Sequence, residues 1–258
     1  MAKRNVLLDG NRTSSDWQRA SPKICVLPVG AFEQHSRHLP LATDDIEADY
    51  FGAFVARELG APLLPTLNYG TSLEHSGFKG TVSLRPETLM QVVRDIADEV
   101  ERQGFTTMIL LNGHGGNFAL TPVVRDINRL DRRLKILLVP WYMFRGGGVL
   151  ESAALGKPDI HAGEAETSVM LALRPDLVKP GGPDLKLAVK GFQQSDLTTF
   201  GVGYAAPQGA FGSPSLASRA KGEKLVASAK RNVMAHIRER LKWLAKNRKY
   251  SGKGRTRR

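Results

Sequence analysis

The run ICVLPVGAFEQHSRHLPLATDD, residues 24–45, joins an apolar segment to a dense set of carboxylates and imidazoles. Its first six residues, Ile24–Val29, form an apolar run that predicts a buried strand. Glu33 and His35 follow two positions apart, so in an extended segment their side chains point the same way. Imidazole and carboxylate together are typical ligands of zinc, manganese or iron. The stretch therefore predicts a buried strand that leads into a metal site.

Outside this stretch, short apolar runs alternate with longer amphipathic segments, and Gly60 and Gly104 end two of those segments. This alternation predicts a mainly parallel sheet with helices on both faces. Residues 177–220, rich in glycine, proline and serine, are expected to form a long excursion. The predicted strands are Ile24–Val29, Ala61–Leu67, Thr106–Leu111 and Lys135–Val139. The predicted helices are Asp45–Leu59, Pro86–Gln103, Phe118–Leu130, Gly163–Leu173 and Lys221–Ala245.

Two further polar clusters lie near the ends of predicted elements. Residues 112–117, NGHGGN, follow the third predicted strand directly, and residues 161–168, HAGEAETS, lead into a predicted helix. Ligand sites in open α/β sheets lie beyond the carboxyl ends of the strands, which is where His114 is expected. Together with Glu33 and His35, these clusters predict donors that converge from distant parts of the chain.

Each cluster also allows a simpler interpretation. The NGHGGN segment could cradle a phosphate at a helix N-terminus, or His114 could serve only packing. Asp44, before a helical pattern, is a good N-cap residue. Glu164 and Glu166 could be acids that favour the positive end of a helix dipole.

Composition limits the function classes. The net charge is +12, and eight lysines and arginines but no acid follow Leu241. We therefore predict one domain over residues 1–245 and a basic, disordered tail over residues 246–258. Nucleic-acid binding is expected, if at all, only through that tail. The sequence shows neither a membrane-length apolar stretch nor a signal peptide, and the single Cys25 fits a buried thiol in the cytoplasm.

The segments 28–44, 112–117 and 161–168 together resemble the creatininase (creatinine amidohydrolase) family. The family pattern is approximately P-x-G-x-x-E-Q-H-G-P-H-L-P-L-x-T-D, then N-G-H-G-G-N, then H-A-G-E-x-E-T-S. Here Ser36 and Arg37 replace the usual Gly-Pro, and Lys79 replaces a proline in the segment F-P-G-T. Neither departure removes a ligand; Arg37 or Lys79 could bind an anionic substrate or simply be exposed.

The resemblance implies a creatininase-like three-layer sandwich whose mainly parallel central sheet is flanked by helices. It also implies two divalent ions per chain, of zinc, manganese or iron, and a hexamer. In creatininase itself a glutamate stands where this chain has Gly116, so the fifth ligand is expected from Glu164. His161 matches a proton shuttle, and Glu166 is expected to orient His161 or a ligand. The implied metal ligands are Glu33, His35, Asp44, His114 and Glu164, with Asp44 bridging the ions.

These observations predict a metal-dependent amidohydrolase that uses an activated water to cleave a carbon–nitrogen bond other than a peptide bond. The expected substrate is a small molecule with a formamide or a cyclic amide, and Trp141 and Tyr142 could form an apolar wall beside it or serve packing. The glycine at position 116, where creatininase has a glutamate, argues weakly against creatinine as the substrate. One alternative is a metal-dependent lyase or isomerase that uses the same site. The other is a non-catalytic scaffold that binds polyanions through its basic tail.

Overall fold

The computed structural model describes residues 7–129, 132–146 and 148–247, without the side chains of residues 194 and 198. Three parallel strands form the described sheet in the order β1 (Ile24–Val29), β2 (Thr107–Asn112) and β3 (Lys135–Pro140). Their register places Ile24 beside Thr107 and Thr107 beside Lys135. The helices are α1 (Ser14–Ala20), α2 (Thr43–Leu59), α3 (Pro86–Arg102), α4 (Leu120–Arg129), α5 (Glu151–Ala154), α6 (Glu164–Leu173), α7 (Leu197–Phe200), α8 (Val202–Ala205) and α9 (Arg219–Asn247).

Helices cover both faces of the sheet, because successive strand residues point to opposite sides. Val26 and Ile109 lie in one core cluster, whose helical members come from α2, α6 and α9. Leu27 and Met108 lie in a second cluster, with residues of α3 and α4. Burial on both faces explains why the strands are apolar runs and not alternating patterns. The predicted α/β fold, with a mainly parallel sheet between helical layers, is confirmed.

The predicted strand at Ala61–Leu67 is not continuous. Only isolated bridges pair Val26 with Leu63 and Val29 with Leu67. Pro62 and Pro65 lie within this segment, and proline has no N–H to donate to a strand ladder. The segment therefore follows the free edge of β1 without forming a regular strand.

Residues 177–220 form short helical turns and extended segments between α6 and α9, in agreement with the long excursion predicted there. The helix α9 continues to Asn247 and so includes two residues assigned to the basic tail. Residues 248–258, the rest of that predicted tail, lie outside the described residues. Across the described part of the chain, the helices fall short of the length and apolar character that a membrane span requires.

Candidate metal centre

Titratable side chains converge beyond the carboxyl ends of β1 and β2. Glu33 and His35 lie after β1, and His114 follows β2 by two residues. Asp44 lies in the first turn of α2, and His161 lies just before α6. All of these side chains are at least nine-tenths buried. The parallel sheet explains the convergence, since its strands all end at the same edge.

One group of donors comprises Glu33, Asp44 and His114. Glu33 Oε2 lies 3.0 Å from His114 Nε2. Asp44 Oδ2 lies 3.2 Å from His114 Nδ1 on the other side of the ring. The three residues offer ligand atoms within 4.8 Å of one another, close enough to share one ion.

A second group comprises His35, Asp44 and Glu166. His35 Nε2 lies 3.6 Å from Asp44 Oδ1 and 3.9 Å from Glu166 Oε2. These ligand atoms also lie within 4.8 Å of one another. Asp44 belongs to both groups and presents a different oxygen to each. This arrangement makes Asp44 a donor common to both groups.

Burial and charge alter the proton affinities of this cluster. Burial opposes ionisation of Glu33, but the attraction of His114 and His75 outweighs it and holds the pKa of Glu33 well below its usual range. Burial likewise opposes the charged form of His35, yet Asp44 and Glu166 raise the pKa of His35 to about 10. Against burial, Glu33 and Asp44 raise the pKa of His114 well above its usual value. The carboxylates therefore favour any positive charge placed between them.

Two further observations indicate that these donor groups are suited to divalent cations. Both oxygens of Glu33, Asp44 Oδ2 and His35 Nε2 are buried without a hydrogen-bond partner of normal geometry. Glu47, one turn along α2 from Asp44, is a further buried acid, and burial and the charge of Glu166 raise its pKa well above the usual value. Buried groups without partners cost free energy, which a bound cation would offset. Carboxylate and imidazole are suitable ligands for zinc or manganese.

His161 belongs to neither of the two groups that share Asp44, but its ligand atom lies within 4.8 Å of those of Glu33 and His35, a third possible donor group. Its Nδ1 lies 3.6 Å from Glu33 Oε1, and its ring centroid lies 4.4 Å from that of His35. Burial and the neighbouring imidazoles, of His75 first, hold the pKa of His161 well below its usual value. A neutral imidazole beside the donor groups is suited to accept and release a proton.

The structure does not bring Glu164 to the cluster, which corrects the expected ligand set. Both carboxylate oxygens of Glu164 accept backbone N–H groups, those of Glu151 and Ser152, at 3.0 and 2.7 Å. Lys221 Nζ lies 2.6 Å from the same carboxylate. Residues two apart on a helix point in nearly opposite directions, so Glu166 turns toward His35 while Glu164 turns away. Glu166 was expected only to orient His161 or a ligand, but its carboxylate also belongs to a group that could bind an ion.

Two residues that were not among the expected site residues reach the cluster from a short 3-10 helix, Leu73–His75. His75 Nε2 lies 3.1 Å from Glu33 Oε1, and Glu74 Oε1 lies 3.4 Å from His114 Nε2. The available signal was the adjacent acid and imidazole in a segment that follows the interrupted edge strand. The segment has no regular periodicity, so its direction could not be inferred from sequence.

Gly116 makes room for Glu74. A Cβ at Gly116 would overlap Glu74 Oε1 and His114 Nε2, so both side chains would have to shift. The carboxylate of Glu74 therefore fills the space above this glycine.

Replacing Gly116 with alanine is expected to weaken metal binding by about 10- to 100-fold, the range for residues that support metal ligands. The added methyl group would displace Glu74 and tilt the ring of His114. Titration with Zn²⁺ against a competing chelator measures the change. Gly115→Ala is the matched control, because a Cβ there meets nothing within 4 Å. Equal affinities for the two variants would contradict this account of Gly116.

Three other residues named in the sequence analysis, Trp141, Arg37 and Lys79, lie outside the donor groups. Trp141 is fully buried and stacks on Phe51 with ring centroids 4.0 Å apart, so it belongs to the core and not to a substrate wall. Arg37 and Lys79 are exposed, and Arg37 donates to the carbonyl of Gly181. None of the three lies within the two donor groups.

Comparisons with known proteins find relatives that match most of this chain. A family model described as creatininase, creatinine amidohydrolase, matches residues 11–237. Creatinine amidohydrolase of Pseudomonas putida is 32% identical over 238 residues, which cover 84% of this chain and 89% of that protein. The mycofactocin precursor peptide peptidase of Mycolicibacterium smegmatis is 31% identical over 228 residues, covering 84% and 85%.

A solved structure described as "Creatininase Mn" is similar with a TM-score of 0.76 and 26% identity, covering 91% of this chain and 99% of that one. The predicted family and fold are confirmed by these matches, and the relatives are hydrolases, as the motifs indicate. The chain belongs to the creatininase family.

Proposed function

We propose that this protein is an amidohydrolase that binds two divalent ions per chain and cleaves the amide or formamide bond of a small molecule. The observation behind the proposal is the pair of donor groups that share Asp44, whose members other than Glu166 are buried. Within the creatininase family, this donor set supports zinc or manganese as the ions, with iron as the remaining candidate. One ion would use only one of the two groups, and the other donors would then have no cation to bind.

In this proposal each residue has one task. Glu33 and His114 would hold one ion, His35 and Glu166 would hold the other, and Asp44 would serve both groups. When bound, the ions supply an acidified water as nucleophile and polarise the carbonyl of the substrate. His161, beside Glu33, receives a proton and delivers it to the departing nitrogen. The surrounding core excludes bulk water from these steps, which strengthens the electrostatic interactions.

A cavity of about 390 Å³ adjoins the donor groups through Glu74. Its lining combines this carboxylate with apolar and aromatic side chains, including Leu73, Phe200 and Tyr204. The volume is at the small end of the range for small-molecule sites. We propose that a planar amide or formamide binds here, with its apolar part against the aromatic rings.

We further propose a cytoplasmic homo-oligomer. Cys25 is a free, buried thiol, and burial raises its pKa to about 12, which suits a reducing compartment in which it stays unreactive. A hexamer is the assembly that the family resemblance implies, and light scattering of the purified protein measures it.

Metal analysis of the purified protein tests the proposed function. We expect about two divalent ions per chain in the wild type and almost none in the double variant His35→Ala, His114→Ala, because it takes one nitrogen ligand from each group. Dialysis against a chelator is expected to abolish hydrolysis, and Zn²⁺ or Mn²⁺ to restore it. Equal metal contents in the wild type and the double variant would refute the assignment.

Two measurements separate the alternatives. Incorporation of ¹⁸O from labelled water into the product is expected of a hydrolase, and its absence would indicate a lyase or isomerase. Truncation after Asn247 removes the basic residues beyond α9. Unchanged hydrolysis by the truncated chain is expected. Loss of hydrolysis together with loss of polyanion binding would favour the scaffold.

A further inference from the structure

Gln34, between the proposed ligands Glu33 and His35, is itself buried, with 4% of its surface exposed. Its side-chain amide contacts four groups. Oε1 accepts the backbone N–H of Ser36 at 2.8 Å. Nε2 lies 2.8 Å from His75 Nδ1, 3.1 Å from the carbonyl of Gly209 and 3.0 Å from His161 Nε2.

Backbone groups determine which way this amide points. A flipped amide would place its NH₂ against the N–H of Ser36 and its oxygen against the carbonyl of Gly209, which pairs two donors and two acceptors. The segment around Gly209 closes tightly over the amide, because a Cβ at this glycine would overlap Gln34 Oε1. The orientation with Nε2 toward the histidines is therefore the one that satisfies both backbone groups.

The orientation of the amide determines the tautomer of His75. Gln34 Nε2 can only donate, so His75 Nδ1 must accept and has no proton. The ring proton of neutral His75 then lies on Nε2, which is 3.1 Å from Glu33 Oε1. His75 thereby turns its protonated nitrogen toward the carboxylate of a proposed metal ligand.

The backbone of Gln34 determines the tautomer of His161. His161 Nε2 lies 2.8 Å from the carbonyl oxygen of Gln34, which can only accept. Nε2 therefore has the proton, and its 3.0 Å approach to Gln34 Nε2 is a contact between two donors, not a hydrogen bond. The lone pair of the neutral ring then lies on Nδ1, the nitrogen 3.6 Å from Glu33 Oε1.

We infer that Gln34 is a positioning residue that sets the tautomers of both histidines, so that His75 turns a protonated Nε2 toward Glu33 while His161 presents an unprotonated Nδ1 to the donor groups. The inference rests on the proposed function in one respect, since it makes Nδ1 the atom through which His161 transfers its proton. The side chain of Gln34 acts on His75 and its backbone carbonyl acts on His161. Substitution of the side chain is therefore expected to change one tautomer and leave the other.

Nitrogen-15 NMR of histidine-labelled, full-length protein loaded with Zn²⁺ tests this assignment. In the wild type we expect His75 to show an unprotonated Nδ1 and a protonated Nε2, and His161 to show the same pattern. Protonation of Nδ1 in either ring of the wild type would overturn the assignment. The spectra require no substrate, so failure of the proposed hydrolysis would leave this result standing.

The variant Gln34→Glu sharpens the test, since a carboxylate can only accept hydrogen bonds. Nδ1 of His75 is expected to become protonated, while His161 stays unchanged as an internal reference. Hydrolysis is expected to fall by about 10- to 100-fold in kcat/KM, as for residues that orient metal ligands. Gln18→Glu, an exposed position, is the matched control and should match the wild type in both measurements. An unchanged His75 spectrum in Gln34→Glu would overturn the role assigned to the side chain.

Discussion

Replacing Asp44 with asparagine is expected to lower hydrolysis by about 10³-fold or more and to remove metal from both donor groups. Asp44 is the one residue that the two groups share, and it is 2% exposed. The substitution keeps the shape of the side chain and removes its negative charge. Bound metal contributes several kcal/mol of transition-state stabilisation, and each 1.36 kcal/mol corresponds to about a tenfold change in rate. Metal content and kcat/KM, measured on the same preparation, report both effects.

Asp49→Asn is the matched control for this experiment. Asp49 belongs to the same helix, but it is exposed and accepts a hydrogen bond from Thr66 at 3.0 Å. The control is expected to keep its metal and its activity. If Asp44→Asn retained two ions per chain and near-normal rates, the shared-ligand arrangement would be untenable.

Replacing His161 with glutamine is expected to reduce kcat by about 10²- to 10⁴-fold, the range of general acid–base catalysis. The metal content should stay at the wild-type level, because His161 belongs to neither of the two groups that share Asp44. Glutamine preserves polarity at this buried position but cannot shuttle a proton. Single-turnover kinetics with metal analysis separate slower chemistry from loss of ions.

His236→Gln provides the control for this second experiment. His236 lies on α9, and its ring packs against Phe144 at 4.9 Å between centroids. We expect wild-type rates from this variant. A different outcome for His161→Gln, loss of one ion with loss of activity, would make His161 a ligand, since its nitrogen also lies within 4.8 Å of donor atoms of Glu33 and His35.

The sheet and the major helices could be predicted from sequence because their signals are local. Apolar runs marked the three strands of the described residues, and helical periodicity ending near Gly60 and Gly104 marked α2 and α3 to within a few residues. The prediction of a continuous strand at Ala61–Leu67 was wrong, because it relied on hydrophobicity, which does not show where a backbone N–H donor is missing. The two prolines in that segment, which lack this donor, were the available sign.

The sequence could predict the site residues that come directly after strands, because the strand ends determine where those residues lie. Glu33, His35 and His114 lie beyond the ends of β1 and β2, as their positions in the sequence suggested. The choice between Glu164 and Glu166 depends on which side of α6 faces the sheet, and the motif alone does not determine this. The contribution of His75 depends on an irregular segment whose direction is determined by tertiary contacts.

The donors of the site come from three regions of the chain, residues 33–44, residue 114 and residues 161–166. Bound ions would therefore act as cross-links that close two long loops in a protein whose single cysteine forms no disulfide. Ligands that bind only the folded state stabilise it in proportion to the logarithm of their concentration. The cellular supply of the metal would then govern how long the folded protein survives as well as how fast it works.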